Sequence, residues 1–172
     1  MTAAATLIAG CSAWPTDRYA TPDKICDIEV PSEVTEPLLP TGKKIEQYPR
    51  DFDKKPDSRG SCIINVDKKL ALRIAVYRES GSVDIPGLAQ HGSLRLKNPE
   101  KADISNVSSA QVAEDGALMA IPCHARGNEY LITEFAVGER SWDRESTRTQ
   151  RKEIDAFVRG YVPELIKVKC GA

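Results

Sequence analysis

The chain has few of the residues that carry most enzyme chemistry and most nucleic-acid recognition. Of its 172 residues two are histidine, His91 and His124, and aromatic residues make up only 6%. So few rings cannot form a row of stacking platforms for bases or sugars. The 24 Lys and Arg side chains nearly cancel the 25 Asp and Glu, so no net field draws a polyanion and nucleic acid is not an expected partner. Gly60, Gly81 and Gly87 are isolated and build neither a Gly-x-Gly-x-x-Gly nor a Walker-type phosphate loop. There is no Gly-x-Ser-x-Gly elbow for a hydrolase nucleophile and no Cys-x-x-Cys pair for zinc. No run approaches the roughly 18 consecutive apolar residues of a membrane helix.

What is present is a distinctive set of cysteines. Leu7-Ile8-Ala9-Gly10-Cys11 reads as a lipobox, in which an apolar pair and a small residue precede a cysteine that is acylated and becomes the first residue of the mature chain. The six residues from Met1 carry no Lys or Arg, so this stretch is read as the surviving end of a longer signal. Each buried methylene contributes about 0.8 kcal/mol, so a doubly or triply acylated Cys11 would hold the protein stably at a membrane. Residues 12–25 are polar, Pro-containing and aperiodic, the composition of a flexible tether.

Removing Cys11 leaves Cys26, Cys62, Cys123 and Cys170, an even number that suits an oxidising compartment and two disulfides. Four cysteines allow three connectivities. The sequential one, Cys26 with Cys62 and Cys123 with Cys170, is preferred because each pair then joins a helical segment to a nearby strand.

Residues 26–172 are expected to form one domain. Ser32 is a candidate cap for a short helix carrying Val34, Leu38 and Leu39 on one side, ended by Pro40 and Gly42. Residues 43–60 read as a charged loop. Its Asp51, Asp53 and Asp57 resemble a calcium loop only superficially, since Pro56 stands where glycine is needed and Cys62 where the bidentate glutamate belongs. From Ser61 the sequence alternates: Cys62, Ile64 and Val66, a turn at Asp67-Lys68-Lys69, then Leu70, Leu72, Ile74 and Val76. Residues 80–98 read as a long loop with a short strand at 93–96. Asp115-Gly116 and Arg126-Gly127-Asn128 separate three further strands, with Met119, Ile121 and Cys123 on one face and Leu131, Thr133, Phe135 and Val137 on one face of the last. Ile154, Phe157, Val158 and Tyr161 recur at helical spacing, so an amphipathic helix is expected over 147–161, with Gly160 and Pro163 ending or kinking it. The fold class is α+β: an antiparallel sheet meander of about four to six strands packed against a short N-terminal helix and a longer C-terminal one, stapled by two disulfides.

The lipobox, the early cysteine, the short helix ending Leu-Leu-Pro-x-Gly, and the cysteines in the first strand, a later strand and after the last helix together resemble the small cysteine-paired lipoproteins of actinobacteria, whose function is unknown. The resemblance covers nearly the whole mature chain and rests on cysteine placement and element order. It implies a helix-covered antiparallel sheet, similar to sensor or binding domains, without supplying an activity.

The leading functional expectation is therefore a non-catalytic, extracytoplasmic module anchored to the outer face of the cell membrane by a lipid on Cys11. It would bind an envelope protein, a polymer or a small ligand through the uncovered sheet face or the 80–98 loop. Neither a cofactor nor a metal is called for. The alternative is an extracytoplasmic hydrolase or transferase, for which His91 with Ser82 or Ser93 is the conceivable pair, His124 being expected on the face opposite Cys123. A basic face on the last helix, with Arg148, Arg151, Lys152 and Arg159, could approach anionic headgroups or wall polymers, although Glu145, Glu153 and Asp155 dilute it. Asn106-Val107-Ser108 matches a glycosylation sequon that a bacterial lipoprotein would not normally use.

Overall fold

A computed structural model describes residues 18–52, 59–123, 129–138 and 144–171, the last segment without side chains for 144–147. The architecture is α+β, as the alternating and helical periodicities require. Among the described residues nine strands and three helices follow in the order β1 (Lys24–Ile25), β2 (Ile28–Glu29), α1 (Ser32–Thr35), β3 (Ile45–Arg50), β4 (Gly60–Val66), β5 (Lys69–Ser80), α2 (Ile85–His91), β6 (Glu100–Lys101), β7 (Ser109–Val112), β8 (Gly116–Pro122), β9 (Glu129–Val137) and α3 (Arg144–Cys170). Strands β1 and β2 form a minimal hairpin. The other seven make one sheet, ordered β3-β4-β5-β9-β8-β7-β6, which exceeds the expected strand count.

All pairings are antiparallel. The sheet consists of two meanders, β3 to β5 and β6 to β9, zipped along a central β5–β9 seam that runs from Leu72 opposite Val137 to Ser80 opposite Glu129. The turn between β4 and β5 has two central residues, Asp67 and Lys68, both at positive φ. That geometry matches the right-handed twist of the flanking strands. A register shift between Ile64 and Asn65 adds a residue to β5 and places Leu70 opposite Asn65, so the expected alternation from Leu70 breaks there. Ala71 and Leu72 are buried instead, and Leu70 faces solvent.

The main core lies between one sheet face and α3. Ile64, Leu72, Ile74, Met119, Ile121, Leu131 and Phe135 meet Ile154, Phe157, Val158, Tyr161, Val162 and Leu165 there. The Phe135 ring stands edge-on to Phe157 and Tyr161, at 5.9 and 5.6 Å between centroids. A smaller cluster lies on the opposite face, where Ile85 and Ala89 of α2 cover Leu118, Ala120 and Ile132. Strand β8 is thus buried on both faces and β4 and β5 on one, whereas β3 at the edge has only half-buried and exposed side chains.

Several expectations are corrected. The stretch read as a loop over 43–60 contains β3, whose half-exposed side chains and Pro49 hid it; proline is tolerated because β3 is an edge strand. The 80–98 loop contains α2, started by Asp84, whose carboxylate accepts from Gly87 N at 3.0 Å, and by Pro86 in the first turn. No strand forms at 93–96. Leu96 N donates to Ala89 O instead. Helix α1 is capped by Pro31 without a side-chain bond, not by Ser32.

Helix α3 runs unbroken through Gly160 and Pro163 to Cys170. The apolar stripe continues beyond them to Leu165, and burying it outweighs the one hydrogen bond that Pro163 removes. Gly160 has a packing role: a Cβ there would come within 3.1 Å of Val34 Cγ2 and 3.5 Å of Pro31 Cδ, so its small size admits α1. The far end of α3 is held by Arg78, which donates to the Lys169 carbonyl at 2.9 Å and thereby satisfies a terminal acceptor.

Cys26 is joined to Cys62 and Cys123 to Cys170, with Cα separations of 6.0 and 5.0 Å. Cys26 sits in the turn of the β1–β2 hairpin, at positive φ, rather than on a helical segment. Within the segment read as a tether, residues 18–25 lie against the body. Tyr19 donates its phenol to Pro40 O at 2.6 Å, and Arg18 pairs with Glu36 at 3.2 Å.

Candidate functional site

Helix α2 covers only the β7–β9 side of the sheet face that α3 leaves free, so the β3–β5 side is open. Register decides which side chains stand on it. One row across the strands is Tyr48, Ile63, Arg73 and Ala136; the next is Arg50, Ser61, Ala75 and Glu134. Tyr48, Ile63 and Leu70 are 50, 37 and 47% exposed, unusual for large apolar residues, and all three stand on this face.

Beside them runs a polar cleft of about 430 Å³, lined by Arg50, Arg59, Arg73, Ser61, Ser93 and Glu134, with Gly60 and Ala75 in its floor. Arg50 ends β3, Arg59 precedes β4 and Arg73 lies within β5. Among the described residues, none of these three guanidinium groups is in an ion pair. Arg18, Arg78, Arg151 and Arg159 are paired, and the exposed Arg95 and Arg148 are, like the three, in no ion pair among the described residues. Three like charges around one cleft repel each other, and a bound anion would relieve that repulsion. Among the described residues Glu134 is the one carboxylate in the lining, and it is 8% exposed.

A second cleft, of about 370 Å³, lies between the sheet and α2, lined by Tyr77, Val83, Leu88 and Ile132 with Glu79, Ser82, Asp84 and Gly87. Tyr77 joins the two clefts: it lines the second, and the Arg59 guanidinium of the first lies 4.7 Å from its ring centroid. Burial, followed by the charge of Glu134, raises the Tyr77 phenol above its ordinary pKa, and Arg59 opposes the shift. At neutral pH Tyr77 is therefore a neutral donor.

Neither cleft gathers the sequence-proposed catalytic residues. Ser82 lines the second cleft and Ser93 the first, whereas His91, exposed on the last turn of α2, lines neither. His124 and Cys11 lie outside the described residues. Among those described, no group of three or more His, Cys, Asp or Glu is placed to hold a metal ion, and no helix is long and apolar enough to cross a membrane. Asp53 and Asp57 also lie outside the described residues.

The basic face of α3 has a structural use. Arg151 donates to Glu100 and to Asn98 O, both at 2.6 Å, and Arg159 donates to Asp155 at 2.8 Å and to Asp103 O at 2.7 Å. The Arg151 bonds and the Arg159 bond to Asp103 O tie the helix to the segment around β6, and the Asp155 pair orients Arg159 from within the helix. Arg50, Arg59 and Arg73 were not visible as a set in the sequence, because only the strand register brings them together. The chain matches no family model, no curated protein and no solved structure.

Proposed function

We propose that the chain is a non-catalytic binding module held at the outer face of the cell membrane by a lipid on Cys11, engaging its ligand or partner through the open face of β3, β4 and β5. The observation that carries the reading is the composition of that face. Three exposed large apolar side chains stand beside three guanidinium groups without ion-pair partners among the described residues. Interfaces are enriched in tyrosine and arginine for reasons both supply here: rigid contact area and forked donors. The lipobox and the two bridges support an oxidising compartment.

Two measurements test this reading. A photo-crosslinking residue at Tyr48 should form an adduct in the native envelope, and the same residue at Val168, exposed on α3, should not. Equal labelling at both positions, or labelling at Val168 alone, refutes the binding face. Intact mass of the membrane-extracted protein should show an acylated Cys11 at the N-terminus. An unmodified chain retaining residues 1–10 refutes the anchor.

A further inference from the structure

The two clefts meet where Arg59 of the first lies over the Tyr77 ring of the second, they differ in character, and together they describe a ligand. Counted over the described residues that line it, the Arg50, Arg59 and Arg73 cleft is formally three positive charges against the carboxylate of Glu134, which leaves two. A phosphate monoester carries about −1.5 to −2 at neutral pH on three terminal oxygens, which matches that surplus and offers more acceptors than a carboxylate. Ser61 and Ser93 add hydroxyl donors at the same place.

The adjoining cleft is mainly apolar where it meets Tyr77, and its polar rim is acidic, with Glu79 and Asp84. An anion is repelled from that end, so a ligand occupying both clefts has only one orientation. Resting on the binding reading above, we infer that the site takes a phosphate-bearing amphiphile, its phosphoryl group among Arg50, Arg59 and Arg73 and its apolar part laid past Tyr77 toward Val83 and Leu88. A combined volume of several hundred Å³ is in the range that holds one small ligand.

The test uses the full oxidised chain and monomeric dihexanoyl phosphatidate, with inorganic phosphate and dihexanoyl phosphatidylcholine as comparisons, followed by calorimetry and amide chemical shifts. Phosphatidate is expected to bind at least about tenfold more tightly than inorganic phosphate. Arg73→Gln should weaken both phosphate probes by about tenfold. Leu88→Gln should weaken phosphatidate alone. Both substitutions are at solvent-accessible positions, and thermal melts of each variant check that the fold is retained.

Equal affinity for phosphate and phosphatidate overturns the amphiphile in favour of a free phosphate. Equal affinity for phosphatidate and phosphatidylcholine, unaffected by Arg73→Gln, overturns the anion site. Failure of all three probes overturns the ligand class, and the Tyr48 crosslink then separates the two ideas: an adduct preserves the binding face, and its absence removes that as well. Given phosphatidate binding, sedimentation with phosphatidylcholine vesicles that contain long-chain phosphatidate, and not with phosphatidylcholine vesicles alone, identifies a bilayer lipid as the source. Binding of the monomer without sedimentation identifies a soluble phosphorylated amphiphile.

Discussion

Replacing each disulfide by a pair of alanines gives a stability loss that follows from loop length. The bridges close loops of 36 and 47 residues. In the chain-entropy treatment each removes about 13 cal/mol/K from the unfolded ensemble, or about 4 kcal/mol at room temperature for either bridge. The two loops share no residue, so the losses should add, to about 8 kcal/mol. A domain of this size holds about 5–15 kcal/mol in total, so each double variant should still fold, and for a wild-type stability of about 8 kcal/mol or less the quadruple variant sits at or below the threshold. Urea unfolding followed by far-ultraviolet circular dichroism reads all three. The expected order is wild type, then the two double variants at nearly equal midpoints, then a quadruple variant without a cooperative transition. A loss under about 1 kcal/mol for both double variants, or a quadruple variant that unfolds cooperatively near the wild-type midpoint, would refute the argument that this fold depends on its bridges.

Other perturbations test the packing. Phe157→Ala empties a fully buried site between Phe135 and Tyr161 and should cost about 3–5 kcal/mol, read as a fall in Tm of about 6–20 °C; a fall of one or two degrees would mean that α3 does not seat on the sheet. Gly138→Ala would drive a methyl group into the Leu70 carbonyl where the chain leaves β9, so it should destabilise by more than about 2 kcal/mol, measured by chemical denaturation. Asp67 accepts backbone bonds from Lys43 and Lys44, which hold its carboxyl below the usual aspartate range. Its folded pKa is depressed, so its contribution is present above the unfolded value and is lost as pH falls through the folded one. Asp67→Asn should flatten that acid limb of the stability curve, and an unchanged limb would show that the bonds carry no linked proton.

The alternating segments were legible because one face of each is buried by α3. Ile64, Leu72, Ile74 and Phe135 carry that signal directly in the sequence. Strand β3 was not legible because an edge strand with one open face buries little, and Tyr48 and Arg50 look like loop residues until paired. Helix α2 is too short for a period, although Asp84 ahead of Pro86 was a usable start signal. The length of α3 was misjudged because Gly160 and Pro163 stop a helix by propensity, and tertiary burial of Val162 and Leu165 overrode that preference. The candidate site was the least legible part. Arg50, Arg59 and Arg73 come from three segments, and only Arg73, alternating against Leu72 and Ile74, could have been assigned to a face beforehand.

The β5–β9 seam has a consequence for how the molecule is made. Cys26 and Cys62 both belong to the chain before the seam's first strand ends, and Cys123 and Cys170 both follow it. Neither bridge crosses from one meander to the other. If the chain is exported N-terminus first as proposed, and its Cys11 thiol is taken up by acylation, Cys26 and Cys62 reach the oxidant as a complete pair before Cys123 emerges, and the order of emergence itself favours the native partners. The covalent chemistry is local to each half, and joining the halves is left to a ladder of hydrogen bonds and the apolar side chains beneath it.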